Sequence, residues 1–128
     1  MSEPIPPMPP AATAVLDEAS LQRLHELDPD NTNQVVERVL RAFESSLQRL
    51  LPQSMQALAQ HDHEAVKHVV HTLKSSSASV GALELSRRCG DIENRLRALQ
   101  SHDLDALMDG LNTEGQRVLA AVQAMLDA

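Results

Sequence analysis

Aromatic residues and basic charge are both scarce in this sequence, and the two shortages exclude one class of function. The 128 residues include a single phenylalanine, Phe43, and no Trp or Tyr, so no series of aromatic side chains is available to stack on nucleic-acid bases. The formal net charge of −7 is also unfavourable for binding a phosphate backbone. Nucleic acid is therefore not an expected partner.

Cysteines and long apolar runs are scarce as well. The lone Cys89 cannot form an internal disulfide, and its place in a helical pattern predicts a small buried hydrophobic residue. No apolar stretch approaches the roughly 20 residues needed to cross a bilayer, and the N-terminus lacks the pattern of a signal peptide. We therefore expect a cytoplasmic protein without a membrane partner.

The length and the prolines predict one domain preceded by a tail. A chain of 128 residues suits a single compact domain. Five of the seven prolines fall in the first ten residues, which disfavours a helix there. The predicted organisation is a flexible Pro-rich tail over residues 1–12 and one domain over residues 13–128.

Apolar residues recur at three- and four-residue steps through the rest of the sequence, which is the pattern of amphipathic helices. The stripes predict a short helix near residues 17–25 and four long ones at about 36–59, 63–80, 82–99 and 104–125. Pro52 should bend the first long helix. Together these segments predict an all-α fold, an antiparallel up-and-down four-helix bundle with a short additional N-terminal helix.

The helix boundaries carry recognisable capping residues. Asp17 and Asp62 are expected to cap the short helix and the helix at 63–80, and Asn31 or Thr32 should cap the helix at 36–59. Gly81 is expected to end the helix at 63–80.

The helix at 63–80 has two contrasting faces on a helical wheel. Its predicted buried face consists of Val66, Val69, Val70, Leu73, Ser77 and Val80. The flanking and opposite surface carries Lys67, His71, Lys74, Ser75 and Ala78. His71 is thus predicted to face water on a rigid helix with a lysine on either side. The serines that follow are poor helix formers, which indicates that something other than local stability fixes them there.

Three interpretations of His71 compete. It could be an ordinary solvated side chain, or it could bind a metal with His68 and Glu64, although the flanking lysines would repel a cation. It could also be a nucleophile that carries a phosphoryl group, whose charge nearby lysines would offset. The other histidines are expected to be simply solvated: His25, His61, His63 and His102.

The stretch HTLKSSSASVGA at 71–82, followed by LELSRRCGDIE at 83–93, resembles the signature of histidine-containing phosphotransfer (HPt) domains. The resemblance extends over about residues 15–126. It implies that His71 is the phosphorylated histidine and that Lys74 interacts with the phosphoryl oxygens. Cys89 and Glu93 match residues of the family's following helix. Ser75 departs from the family, which most often has Gly directly after the lysine.

The resemblance also implies a function and a set of partners. HPt domains relay phosphoryl groups between the aspartates of receiver domains in two-component signalling, so response-regulator receiver domains and a hybrid sensor histidine kinase are the expected partners. Because no nucleotide-binding motif is present, we expect a phosphotransfer intermediate rather than an enzyme. We also expect a monomer without a cofactor or metal of its own, with Mg²⁺ supplied by the receiver. The alternative is a docking module that binds and sequesters a receiver or an enzyme without transferring phosphate.

A basic segment predicts where such a partner docks. Residues 67–97 contain six Lys and Arg against three Asp and Glu, a local charge of +3. The expected docking surface comprises Lys67, Ser75, Ala78, Arg87 and Arg88. The small residues would leave the approach to His71 open, and the cations would attract an acidic partner. An ordinary solvated helix face is the competing interpretation of the arginines.

Overall fold

The computed structural model describes residues 15–127, and five helices account for most of them. They are α1 (Glu18–Glu26), α2 (Val35–Ala59), α3 (His63–Ser79), α4 (Leu83–Arg97) and α5 (Leu104–Asp127). Helices α2 to α5 pack in chain order, and α5 returns to contact α2, so the four form a closed bundle. Short connections reverse the chain between successive helices, and α1 packs against α2. The predicted fold class is confirmed, whereas the predicted tail at 1–12 lies outside the described residues.

The core is aliphatic, as the shortage of aromatic residues predicts. Phe43 is buried, and so is the predicted inner face of α3, including Val66, Val70 and Leu73. Full burial of such a side chain stabilises the fold by about 1.5–3 kcal/mol. Helix α2 runs without interruption through Pro52, and the bend there stays a prediction. Among residues 15–127 no helix combines the length and the apolar character needed to cross a membrane.

Two of the three predicted N-caps are confirmed and one is wrong. Asp17 accepts a hydrogen bond from the backbone N–H of Ser20 at 2.9 Å, and Asp62 accepts one from Ala65 at 3.1 Å. The second helix begins at Val35, close to the predicted residue 36, but its N-cap position is Gln34 rather than Asn31 or Thr32 and makes no side-chain capping bond.

The carboxylate of Asp28 takes the place of a helix cap before α2. The buried carboxylate of Asp28 accepts hydrogen bonds from the backbone N–H groups of Thr32 at 3.1 Å and Asn33 at 2.8 Å. Amides that would otherwise need a helix cap are therefore satisfied from the preceding turn, and residues 31–34 remain loop. The residue before α2, Gln34, has a left-handed backbone with φ of 53°.

The turn after α3 depends on glycine, as predicted. Gly81 has φ of 84°, a conformation that side chains with a Cβ rarely adopt. Its carbonyl accepts a 2.8 Å hydrogen bond from the backbone N–H of Asp17, and a Cβ added there would lie 2.9 Å from the backbone N and O of Asp17. The start of α1 is therefore fixed directly against the end of α3.

Candidate functional site

His71 lies midway along α3 with its side chain 62% exposed. Its Nδ1 atom is 2.7 Å from the Oε2 atom of Glu93 on α4. A carboxylate can only accept hydrogen bonds, so in the neutral imidazole this contact requires the proton on Nδ1. The other ring nitrogen, Nε2, then carries the free lone pair, and the ring that carries it is open to solvent.

Glu93 is the buried centre of this cluster, with a side chain that is 3% exposed. Its Oε1 atom accepts a hydrogen bond from the Nζ atom of Lys74 at 2.7 Å, and its Oε2 atom lies 3.2 Å from a guanidinium nitrogen of Arg97. The hydrogen bond from Lys74, and after it the one from His71, hold the pKa of Glu93 below its usual range even though burial opposes this. Glu93 is therefore a carboxylate that holds the side chains of His71 and Lys74 at once.

The packing of α3 against α4 brings these residues together. The two helices run in opposite directions from the turn at Gly81, so positions 22 residues apart in sequence meet across the pair. The hydroxyl of Ser86 donates to the carbonyl oxygen of Lys74 at 2.9 Å, which fixes the register one turn from the site. Helix α4 also packs against the aliphatic part of Lys74 at Gly90, where a Cβ would make an ordinary 3.6 Å contact with Cδ.

This geometry is suited to a nucleophilic imidazole that binds an anionic group. The lone pair of Nε2 belongs to a ring that is 62% exposed and so is accessible to an electrophile. The ammonium group of Lys74, with a side chain 38% exposed, lies beside the same carboxylate. Positive charge that develops on the ring after attack is stabilised by the carboxylate of Glu93, which lies 2.7 Å from Nδ1. Within residues 15–127 no group of three or more His, Cys, Asp and Glu side chains is placed to hold a metal, so the metal interpretation gains no support.

The small residues beyond His71 lie where the wheel places them. Ser75 and Ala78 are exposed on α3, on the same side as His71, and Lys67 is half-buried and pairs with Glu64 at 3.5 Å. Three hydroxyls on this helix donate to the carbonyl four residues earlier: those of Thr72, Ser76 and Ser79. Such bonds satisfy the hydroxyls within the helix, so these three side chains stay close to the backbone and add no charge to the helix surface.

Two residues of the predicted docking surface are already engaged within the chain. Arg87 forms hydrogen bonds with Glu84 at 2.6 and 3.0 Å and with Asp91 at 2.8 Å. Arg88 extends toward α5, where one guanidinium nitrogen lies 2.6 Å from the Cβ position of Gly110. Arg88 therefore lies on the side of α4 that faces α5, whereas His71 lies on α3.

The basic segment is also less positive than its sequence indicates. Each of its six cations lies within 4 Å of a carboxylate. Two of these carboxylates, Glu64 and Asp103, come from outside residues 67–97. Counting them gives six cations against five acids, a local charge of +1.

Sequence reasoning missed the roles of Glu93 and Arg97. Helical periodicity predicts which residues share a face of one helix, but it does not give the register between two helices. The match of Glu93 to the family pattern was the single available signal. Cys89 is buried as predicted, and burial first, then the neighbouring charge of Glu93, raises its thiol pKa to about 12.

Comparison with known proteins identifies relatives of this arrangement. The family model described as "Hpt domain" matches residues 38–128. The structure of histidine-containing phosphotransfer protein B (HptB) from Pseudomonas aeruginosa is similar with a TM-score of 0.79 and 23% identity, over 90% of this chain and 96% of that one. The HPT domain of a sensor hybrid histidine kinase from Shewanella gives a TM-score of 0.74 and 23% identity, over 88% of this chain and 94% of that one. These two likenesses are of fold, and no curated protein matches the sequence significantly.

Proposed function

The chain belongs to the Hpt domain family, and from this premise we propose that His71 is the residue on which it carries a phosphoryl group between receiver domains. Members of the family are phosphotransfer intermediates of phosphorelays. The observation that best supports His71 as the carrier is the 2.7 Å contact from its Nδ1 to the buried carboxylate of Glu93. That contact orients the exposed Nε2 as a nucleophile, and it distinguishes His71 from a histidine that is merely solvated.

In the proposed reaction, Nε2 of His71 attacks the phosphorus of a receiver's aspartyl phosphate. The N–P bond forms as the bond between phosphorus and the aspartate oxygen breaks, and the receiver recovers its carboxylate. Nδ1 keeps its proton and continues to donate to Glu93, so the positive charge that the ring gains is balanced by a carboxylate 2.7 Å away. The reverse sequence delivers the group to a second receiver.

Lys74 is proposed to act on the phosphoryl oxygens. Charge in phosphoryl transfer is spread over the equatorial oxygens, so a positioned cation stabilises the transition state without forming a covalent bond. Its Nζ atom bonds to Glu93 at 2.7 Å, so the ammonium group is held near the imidazole before any partner arrives. We expect Mg²⁺ to be bound by the receiver, with no cofactor on this chain and no kinase activity from ATP.

The proposed docking surface retains Lys67, Ser75 and Ala78, which flank His71 along α3. Arg87 and Arg88 are weaker members of it, because Arg87 is bound to two carboxylates and Arg88 extends toward α5. We expect the chain to act as a monomer. A docking module that sequesters a receiver without transfer is not favoured, since the family's activity is transfer and the orientation of Nε2 would then serve no purpose.

The test is incorporation of phosphate from radiolabelled, phosphorylated receiver domains. His71→Gln should abolish labelling while preserving the melting temperature, because the side chain faces solvent. His68→Gln is the matched control, since His68 is also exposed on α3 one turn earlier and should leave labelling unchanged. Equal labelling of His71→Gln and wild type would refute the assignment, and a wild-type chain that no receiver labels would favour the docking module.

A further inference from the structure

Leu99, which follows α4, combines two unfavourable properties. Its φ is 57°, and among residues 15–127 it is the only apolar residue with a positive φ. The left-handed conformation is disfavoured for residues that carry a Cβ, and glycine is the usual choice at this position after a helix. The residue is also 91% exposed, so its leucine side chain gains almost no burial within this chain. Neither the backbone conformation nor the core of the fold explains a leucine here.

The backbone around Leu99 is nevertheless well ordered by hydrogen bonds. The N–H of Gln100 donates to the carbonyl oxygen of Arg95 at 2.9 Å, and the N–H of Leu99 donates to that of Leu96 at 3.2 Å. This pattern ends a helix in a fixed way and directs the residue in the left-handed position outward. Leu99 is therefore presented to solvent by a defined turn.

Leu99 lies at the edge of a cleft of about 330 Å³ between the first turn of α3 and the last turn of α4. The charged side chains that line this cleft are Lys67, Arg95, Arg97 and Glu64, three cations and one carboxylate. Lys67 and Glu64 also line the depression that contains His71. Arg97 is one turn, about 6 Å along the helix, from Glu93. The cleft is thus continuous with the phosphotransfer site, and each of its three cations is paired with a carboxylate: Glu64, Asp103 or Glu93.

We propose that this cleft and Leu99 form a second contact region for the receiver domain that exchanges phosphate with His71, taking an apolar part of the receiver's surface. This inference rests on the proposed function. Burial of Leu99 against the receiver would recover free energy that the isolated chain does not gain, and the receiver must already lie close to the cleft when it reaches His71, since Lys67 and Glu64 line both depressions. The region lies on the N-terminal side of His71 along α3, opposite to the small residues Ser75 and Ala78, so it can select among receivers that all reach His71.

The test separates strain from recognition. Leu99→Gly relieves the left-handed backbone and Leu99→Asn makes it more tolerable, so neither should lower the melting temperature. The donor is a phosphorylated receiver domain, chosen from a panel as the one that labels wild type fastest. Both variants should raise the receiver concentration for half-maximal transfer at least threefold and leave the maximal rate unchanged, because Leu99 lies away from the reacting atoms.

His61→Gly is the matched control. His61 follows α2 with the same φ of 57° and is exposed, but it is not among the residues that line the cleft. It should show the same relief of strain with no effect on transfer. Half-saturation within threefold of wild type for both Leu99 variants would overturn the inference, as would a wild-type dimer that Leu99→Gly converts to a monomer. A wild type that no receiver in the panel labels would instead count against the proposed function.

Discussion

The carboxylate of Glu93 contacts both His71 and Lys74, and we expect phosphoryl transfer to slow more when its hydrogen-bond acceptor is removed than when only its charge is removed. Glu93→Gln keeps an oxygen that can accept from Nδ1 of His71, although it loses the charge that binds Lys74. Glu93→Met has a similar length and no comparable acceptor, so neither nitrogen of His71 is favoured as the nucleophile. We expect Glu93→Gln, which keeps only a neutral hydrogen bond, to be slower by about three- to tenfold, and Glu93→Met to be slower still, by at least tenfold.

The expected loss of rate in Glu93→Met follows from the length and charge of the hydrogen bond that is removed. A hydrogen bond to a charged group contributes about 1.5–3 kcal/mol, and the contact from Nδ1 to Glu93 is short, at 2.7 Å. If that contribution is lost in the transition state, the rate falls by about 10- to 150-fold, since about 1.4 kcal/mol corresponds to a factor of ten. The fold should tolerate both changes, because the three side chains that contact Glu93 are 38–62% exposed and can be solvated when the carboxylate is gone.

The assay is single-turnover transfer from a saturating phosphorylated receiver, accompanied by a thermal melt of each variant. The nitrogen chemical shifts of His71 report directly whether Nδ1 or Nε2 carries the proton. Wild type and Glu93→Gln should have the proton mainly on Nδ1, and Glu93→Met should have it on both. If Glu93→Met transfers at the wild-type rate, the carboxylate does not prepare the nucleophile and our mechanism is wrong.

Two further predictions concern stability. The free energy of unfolding should fall as the pH drops below about 4.3, the ordinary pKa of glutamate. The pKa of Glu93 is lowered in the folded chain, mainly by the hydrogen bond from Lys74, so the unfolded chain binds this proton more tightly than the folded one. Glu93→Gln should reduce this pH dependence. Equal acid slopes for the two chains in urea titrations would contradict that assignment. Gly81→Ala should cost about 2–3 kcal/mol in the same titrations, from a left-handed backbone and a Cβ that would lie 2.9 Å from the backbone of Asp17. A loss below about 1 kcal/mol would mean that α1 shifts away easily.

The helices were predictable from sequence because each is decided mainly by its own residues. The apolar steps of α3 place Val66, Val70 and Leu73 on one face by helix geometry alone, and the structure buries all three. Asp17 and Asp62 cap helices through bonds that span three residues. The predicted cap at Asn31 or Thr32 was wrong because the carboxylate of Asp28 binds backbone amides up to seven residues away, which a rule based on neighbouring residues does not consider.

The site was predictable only in part, for the same reason. His71 and Lys74 are one turn apart on one helix, so their proximity follows from the sequence. Glu93 reaches them across a helix pair, and the pairing register depends on contacts such as Ser86 with Lys74 that no single helix reveals. The charge of the basic segment was overestimated for the same reason, because Asp103 contacts Arg95 from the next connection.

The side chains proposed to act on phosphate, His71, Lys74 and Glu93, all belong to the antiparallel pair α3 and α4. Helices α2 and α5 contribute none of them and instead close the other side of the bundle. The chemistry and the scaffold are thus encoded in separate stretches of the chain. Substitutions at the exposed positions of α5 are therefore expected to leave the proposed reaction unchanged, whereas its buried positions support the fold. The register between α3 and α4 is therefore the part of the fold on which the proposed reaction depends most directly.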